Sequence, residues 1–123
     1  MPPASVDFDA PDLAAQIEKL SESERDLLPF GVILLDREGI VRFYSKTEAR
    51  QSGYSGPSVG VNFFTIAERP SKTELHNRIM RAMEEGPVDL EFGWKGDYSD
   101  RNRELRIRVL SAKSGGVWMF LQR

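Results

Sequence analysis

Two rhythms of apolar and polar residues run along the chain. Phe30 to Leu35 is a continuous apolar run, and Ile40 to Tyr44 is a second strand-like segment. Asp36, Arg37, Glu38 and Gly39 lie between them as a tight turn, so the pair reads as a hairpin. Further on, Val88, Leu90, Phe92 and Trp94 alternate with Asp89, Glu91 and Gly93, and Leu105, Ile107 and Val109 alternate with Glu104, Arg106 and Arg108. That period of two predicts strands with one buried and one wetter face. Val117 to Leu121 is apolar at every position, which predicts a central strand, joined to its predecessor through Lys113, Ser114, Gly115 and Gly116.

Helical spacing appears in two places. Leu13, Ile17 and Leu20 form a narrow stripe that Asp9 or Asp12 can cap and that ends in the polar run Ser21 to Arg25. A stripe this narrow needs a surface to lie on, either the rest of the domain or a partner. Ser71 to Glu85 is the best-marked helix: Ser71 and Glu74 have capping-box spacing, Leu75, Ile79, Ala82 and Met83 form its stripe, and Gly86 with Pro87 stops it. Between hairpin and helix, Ser45 to Ser52 is polar with helix formers, and Gly53, Gly56, Pro57 and Gly60 interrupt the chain, which predicts short helical pieces. The order predicts an α+β domain with helices on one face of an antiparallel sheet.

Composition narrows the chemistry. At 123 residues the chain fits one domain, with residues 1–25 as an N-terminal helical cap and 26–123 as the core. Seventeen Lys and Arg against nineteen Asp and Glu leave a net charge of −2, which argues against a nucleic-acid partner held by a basic face. With no cysteine, disulfides, thiolate metal sites, cysteine nucleophiles and thioester-linked groups are excluded. The one histidine, His76, rules out a His-pair metal site. No apolar stretch is long enough to cross a bilayer and no leader pattern opens the chain, so the expectation is a cytoplasmic protein with no membrane partner. Neither a nucleophile elbow nor a phosphate-binding glycine loop occurs, so no enzymatic activity is expected.

Several segments together resemble a PAS domain: Val41-Arg42-Phe43-Tyr44-Ser45 through Gly53-Tyr54, then Gly60-Val61-Asn62-Phe63-Phe64. Within that family Phe30 to Asp36, Gly39, Tyr44, Glu48, Gly60, Asn62-Phe63-Phe64 and Val117-Trp118-Met119-Phe120 are similar to the photoactive yellow protein branch, over nearly the whole chain. The resemblance implies a five-stranded antiparallel sheet with helices packed on one face and an N-terminal helical cap. It also implies a sensory or dimerisation module for signalling, in which an event between sheet and helices shifts the packing of the Leu13, Ile17, Leu20 helix. In that branch a p-coumaroyl group is attached to a cysteine, and its phenolate accepts hydrogen bonds from a tyrosine and a protonated glutamate. Tyr44 and Glu48 fall on those positions, Ser52 falls on a neighbouring threonine, Pro70 lies at or beside the cysteine's place, and Tyr54 replaces an arginine.

A p-coumaroyl adduct is therefore excluded, and no resident cofactor is expected. What the resemblance leaves is a small ligand held non-covalently by Tyr44, Glu48 and Ser52, with Phe64 and Phe92 among the aromatic lining. The trio's i, i+4, i+8 spacing would share one helix face and could bind a phenol, acid or amide, with Glu48 protonated if desolvated. Two alternatives stay open: a protein-interaction module whose pocket is filled by its own side chains, or a haem sensor with His76 as axial ligand. His76 lies about 100° round the helix from Leu75, at the edge of the stripe. Arg101, Arg103, Arg106 and Arg108 form a basic cluster that either docks an acidic partner or is neutralised by neighbours such as Glu91. The expected protein partner is a second copy or a regulator.

Overall fold

The computed structural model describes residues 6–54, 56–65, 70–96, 100 and 102–123, with the side chains of residues 70–73 outside that set. In chain order its elements are α1 (Leu13–Glu18), α2 (Glu22–Arg25), β1 (Gly31–Leu35), β2 (Val41–Tyr44), α3 (Lys46–Ser52), a 3-10 turn (Phe63–Thr65), α4 (Pro70–Glu85), β3 (Asp89–Lys95), β4 (Glu104–Ser111) and β5 (Val117–Gln122). The strands form one antiparallel sheet in the order β2-β1-β5-β4-β3. The strand apolar on both faces, β5, is the central one, because only a central strand with both faces covered buries every side chain.

Alternation then assigns each face its own core. Ile33, Leu35, Leu105, Ile107, Val109, Val117, Met119 and Leu121 point to an inner face, where they pack against Phe63 and against Leu75, Ile79 and Met83 of α4. Val32, Leu110, Trp118 and Phe120 point to the outer face, where Phe8, Leu13, Ile17 and Leu28 cover them. In β2 the alternation slips. The β1–β2 register shifts so that Leu34 faces Phe43 and Leu35 faces Val41. The bulge at Arg42 sends Val41 inward and Phe43 outward, and turns the Arg42 guanidinium onto Asp36 at 2.7 Å.

The N-terminal stripe divides differently from the sequence expectation. The helix ends at Glu18, short of Leu20, and the polar run beyond it is a separate turn of helix. There Ser21 accepts from the Glu24 backbone N–H while the Glu24 carboxylate accepts from that of Ser21, a capping box. Asp12 stands at the N-cap of α1, but its carboxylate accepts from the Gln16 side chain instead of a backbone N–H. The surface the stripe needs is the outer face of the sheet. Leu13 and Ile17 are fully buried there, each worth roughly 1.5–3 kcal/mol of apolar burial.

Polar contacts fix this cap in one register. Arg108, buried on the outer face, donates to the carbonyls of Phe8 at 2.7 Å and Ala10 at 2.8 Å. Arg106 holds the Asp9 and Glu91 carboxylates, with its guanidinium 5.0 Å from the Phe8 ring centroid. The Glu18 carboxylate accepts from Trp118 Nε1 and the Lys113 backbone N–H, and Arg25 lies over the Phe43 and Trp118 rings. The basic cluster is thus used internally, neutralised by Glu91 and by the chain's own N-terminal segment. Arg103 points elsewhere, and Arg101 lies outside the described residues. No described helix is long and apolar enough to cross a membrane.

Two outcomes follow for the cap. Arg108→Leu strips the donors from two carbonyls and should speed hydrogen exchange across residues 8–20 while β1 and β5 stay protected; equal loosening of sheet and cap would contradict a local anchor. Arg106 hydrogen-bonds Asp9 and holds its carboxyl below the usual carboxylate range, with the nearby Arg108 charge acting in the same direction and partial desolvation opposing them. A depressed folded-state value gives stabilisation that is present above the unfolded value, near pH 4, and is lost as pH falls through the folded one. Cap exchange should therefore accelerate in that acid range, and Asp9→Asn should flatten this dependence.

Candidate functional site

The candidate site is organised by α3. Ser45 caps it, its hydroxyl accepting from the Glu48 backbone N–H and also from that of Val32, both at 3.1 Å, which ties the helix start to β1. Gly53, in the left-handed region at φ 80°, ends it as a side-chain-bearing residue would not readily do. Tyr44 belongs to β2, so the i, i+4, i+8 trio does not share one helix. Only Glu48 and Ser52 lie on α3.

Glu48 faces the sheet and is held there by Arg123, just past β5. Nη1 donates to Oε1 at 2.8 Å and Nη2 to Oε2 at 2.9 Å, a two-pronged pair whose side chains are 4% and 8% exposed for Glu48 and Arg123. The carboxylate rests against Gly31, where an added Cβ would overlap its oxygen. Gln51, one turn on, accepts from Arg123 at 3.4 Å and donates to the Pro29 carbonyl. Where the sequence expectation was a protonated Glu48 in a desolvated pocket, the structure places a guanidinium on both of its carboxyl oxygens.

The other expected residues disperse. Tyr44 and Ser52 share a hydrogen bond at 3.3 Å, and the Tyr44 ring meets Tyr54 edge-on at 6.3 Å. Phe64 packs on Phe63 at 5.3 Å and on His76 at 4.6 Å. His76 therefore sits half-buried with its ring against an aromatic neighbour. Phe92 lies beside Trp94 and beneath the Arg78 guanidinium, in a groove of about 840 Å³ between α4 and β3 whose walls include Arg81, Glu85 and Leu90. Glu48 and Ser52 on α3 and Tyr44 at the end of β2 thus lie apart from Phe64, which sits by the β1–β2 turn at Gly39, and from Phe92 on the edge strand. The loop position of Pro70 becomes the first residue of α4, where a missing N–H is tolerated, and the Ser71 cap lies outside the described side chains.

Two groups at the site, Arg123 and Thr47, were invisible to sequence motifs, and a third, Arg103, was seen only as part of the basic cluster. Arg123 continues the inward alternation of Val117, Met119 and Leu121 past Gln122, the one signal that could have found it. Arg103 donates to the Gln51 carbonyl at 2.9 Å, closing the β3–β4 connection onto the end of α3. Thr47, buried, places its hydroxyl 2.7 Å from the Leu28 carbonyl and 3.0 Å from that of Asp26, sharing one proton between them. The Asp26 carboxylate in turn accepts from the Lys46 backbone N–H at 2.8 Å. Adjacent residues of α3 therefore hold opposite things: Glu48 grips the end of β5, and Thr47 grips the segment that leads back to the cap.

Comparison with known proteins places this geometry. No family model matches the chain. The chain is 32% identical over 101 residues to the photoactive yellow protein of Cereibacter sphaeroides, covering 80% of this chain and 82% of that one. Among solved structures it is similar to the photoactive yellow protein domain of the sensor histidine kinase Ppr from Rhodospirillum centenum, with a TM-score of 0.70, 28% identity and coverage of 87% of this chain and 96% of that one. The PAS domain of the Cronobacter turicensis RpfR quorum-sensing receptor, solved in complex with BDSF, shares the fold at a TM-score of 0.57 and 15% identity, over 76% of this chain and 90% of that one. With this identity across four fifths of its length and a PAS sheet, the chain belongs to the photoactive yellow protein family, as a member without a cysteine.

Proposed function

We propose that the chain is a sensory signalling module that works without a covalently attached chromophore, with the Glu48–Arg123 pair as its switch. The p-coumaroyl group cannot be attached, because its thioester requires a cysteine thiol that the chain does not contain. The observation that carries the reading is the adjacency of Thr47 and Glu48 on α3, one holding the cap connection and the other Arg123. Any event that separates Glu48 from Arg123 frees α3 to move, and the cap is fastened to α3.

The chemistry of the pair selects the ligand. Breaking a buried ion pair from one side leaves an uncompensated charge and costs about 3–5 kcal/mol. A neutral molecule therefore meets this penalty in full, whereas a small carboxylate can replace Glu48 on the guanidinium and offset it. Space exists on the Arg123 side of the pair, in an open groove of about 580 Å³ at the end of the sheet whose walls include Trp94, Leu105, Arg106, Gln122 and Arg123. Tyr44, Ser52 and Tyr54 stand as further hydroxyl partners in this reading. Ligand binding then shifts a population between two packings of α3, which the cap reports to a protein partner.

A second reading is favoured by one observation: Tyr44 with Ser52, and Glu48 with Arg123, already satisfy one another, as expected of an interaction module whose interior is filled by its own side chains. The two readings diverge under titration. Free p-coumarate, benzoate and dodecanoate, added separately, should include at least one that shifts the Arg123 side-chain NMR signal and accelerates exchange of the cap amides, and Arg123→Met should abolish both responses. If none of the three perturbs either signal, the ligand reading fails and the self-filled module replaces it. Haem binding through His76 is checked in the same samples, where a strong Soret band removed by His76→Ala would overturn both readings.

A further inference from the structure

The two edges of the sheet differ. Along β2, the Val41 N–H donates to the Val61 carbonyl at 2.9 Å and the Gly60 N–H donates to the Val41 carbonyl at 2.8 Å, so the chain covers that edge itself. Along β3 nothing does so among the described residues. Gly96 donates to Arg103 O, and Ser111 donates to Val88 O. These bonds set the hydrogen-bonded positions of the β3–β4 ladder at the even-numbered residues of β3. The N–H and C=O groups of Asp89, Glu91, Gly93 and Lys95 therefore point outward along a seven-residue strand.

That edge is complementary to itself. We infer that two copies of the chain pair antiparallel through β3, about a two-fold axis at Phe92, to form one continuous ten-stranded sheet. In this register Asp89 faces the partner's Lys95 and Glu91 faces the partner's Gly93, and each pair exchanges two backbone hydrogen bonds. Outward-pointing groups meet only outward-pointing groups, because odd residues pair with odd. The half-buried inner-face residues also match: Phe92 meets its own copy, and Leu90 meets the partner's Trp94.

Charge selects this register over its neighbours. Asp89 and Lys95 are exposed and have no ion pair among the described residues, although Glu104 stands across from Lys95 in β4. Sliding the pairing by two residues one way sets Glu91 against the partner's Glu91 and Asp89 against a glycine. Sliding it the other way sets Glu91, already held by Arg106, against the partner's Lys95 and leaves Asp89 beyond the end of the partner strand without a cation. Gly93 leaves open space above the outer face, its nearest neighbour for an added Cβ being the Leu105 carbonyl at 4.0 Å. The isologous pairing consumes both free edges, so the assembly closes at two copies and does not grow into a fibre. The inference goes beyond the Glu48–Arg123 switch and stands without it.

The test is sedimentation equilibrium of the full chain, with a dimer dissociating in the micromolar range as the expected result. Gly93→Pro removes an outward N–H that has no partner among the described residues, so it should yield a monomer with unchanged thermal unfolding of the fold itself. Asp89→Lys places like charges at both symmetry-related ends and should weaken the dimer about tenfold, and Asp89→Lys with Lys95→Asp should restore it. A chain that stays monomeric throughout, as when the edge serves a different protein, overturns the inference. So does a dimer indifferent to Gly93→Pro, or a double exchange that fails to rescue.

Discussion

A buried guanidinium needs a buried carboxylate, and much of the site follows from that need. Arg123 and Glu48 meet under almost no solvent, where either charge alone would cost several kcal/mol. Their approach requires that β1 offer no side chain at Gly31 and that α3 begin directly over β1. The Ser45 hydroxyl meets the second requirement by accepting from both β1 and α3. Such a pair adds little net stability compared with a well-packed apolar pair of the same size. What it supplies is a single position for α3, and a position that only a matching charge can exchange.

The outer face repeats this logic. Arg108 and Arg106 on the sheet bind backbone carbonyls and a carboxylate of the cap, and Arg25 of the cap lies over the Trp118 ring of the sheet, so the cap rests on directional contacts as well as on Leu13 and Ile17. Apolar burial alone would let a short helix slide. Directional contacts make docking all-or-none, as the proposed switch requires. The Thr47 hydroxyl joins the two faces, standing on the same helix as Glu48 and bonding to the segment between α2 and β1.

The sheet was legible because strand alternation is local. Leu105, Ile107 and Val109 declare their face within five residues, and the doubly apolar β5 declares its central place. Where the structure departs from the pattern, a local rule was overridden: the bulge at Arg42 reverses the faces in β2, and the Ser21–Glu24 capping box splits the N-terminal helix. The site was legible only in part. Family resemblance singled out Tyr44, Glu48 and Ser52 as candidates, but it pointed neither to Arg123, 75 residues from Glu48, nor to Thr47, which bonds carbonyls about 20 residues upstream. Contacts of that separation are set by topology. The basic cluster showed the same limit, because alternation placed Arg106 and Arg108 on one face without showing that Phe8, Asp9 and Ala10 would return to cover them.

The central claim is that α3 carries the state of the Glu48–Arg123 pair to the cap through Thr47. Its most direct measurement is native-state hydrogen exchange of the Leu13 and Ile17 amides in a double-mutant cycle of Glu48→Gln and Thr47→Val. The account predicts that Glu48→Gln alone speeds cap opening, that Thr47→Val alone does so too, and that Glu48→Gln adds nothing once Thr47 has lost its hydroxyl. Fully additive effects, or cap amides that ignore Glu48→Gln while α3 itself loosens, would contradict it.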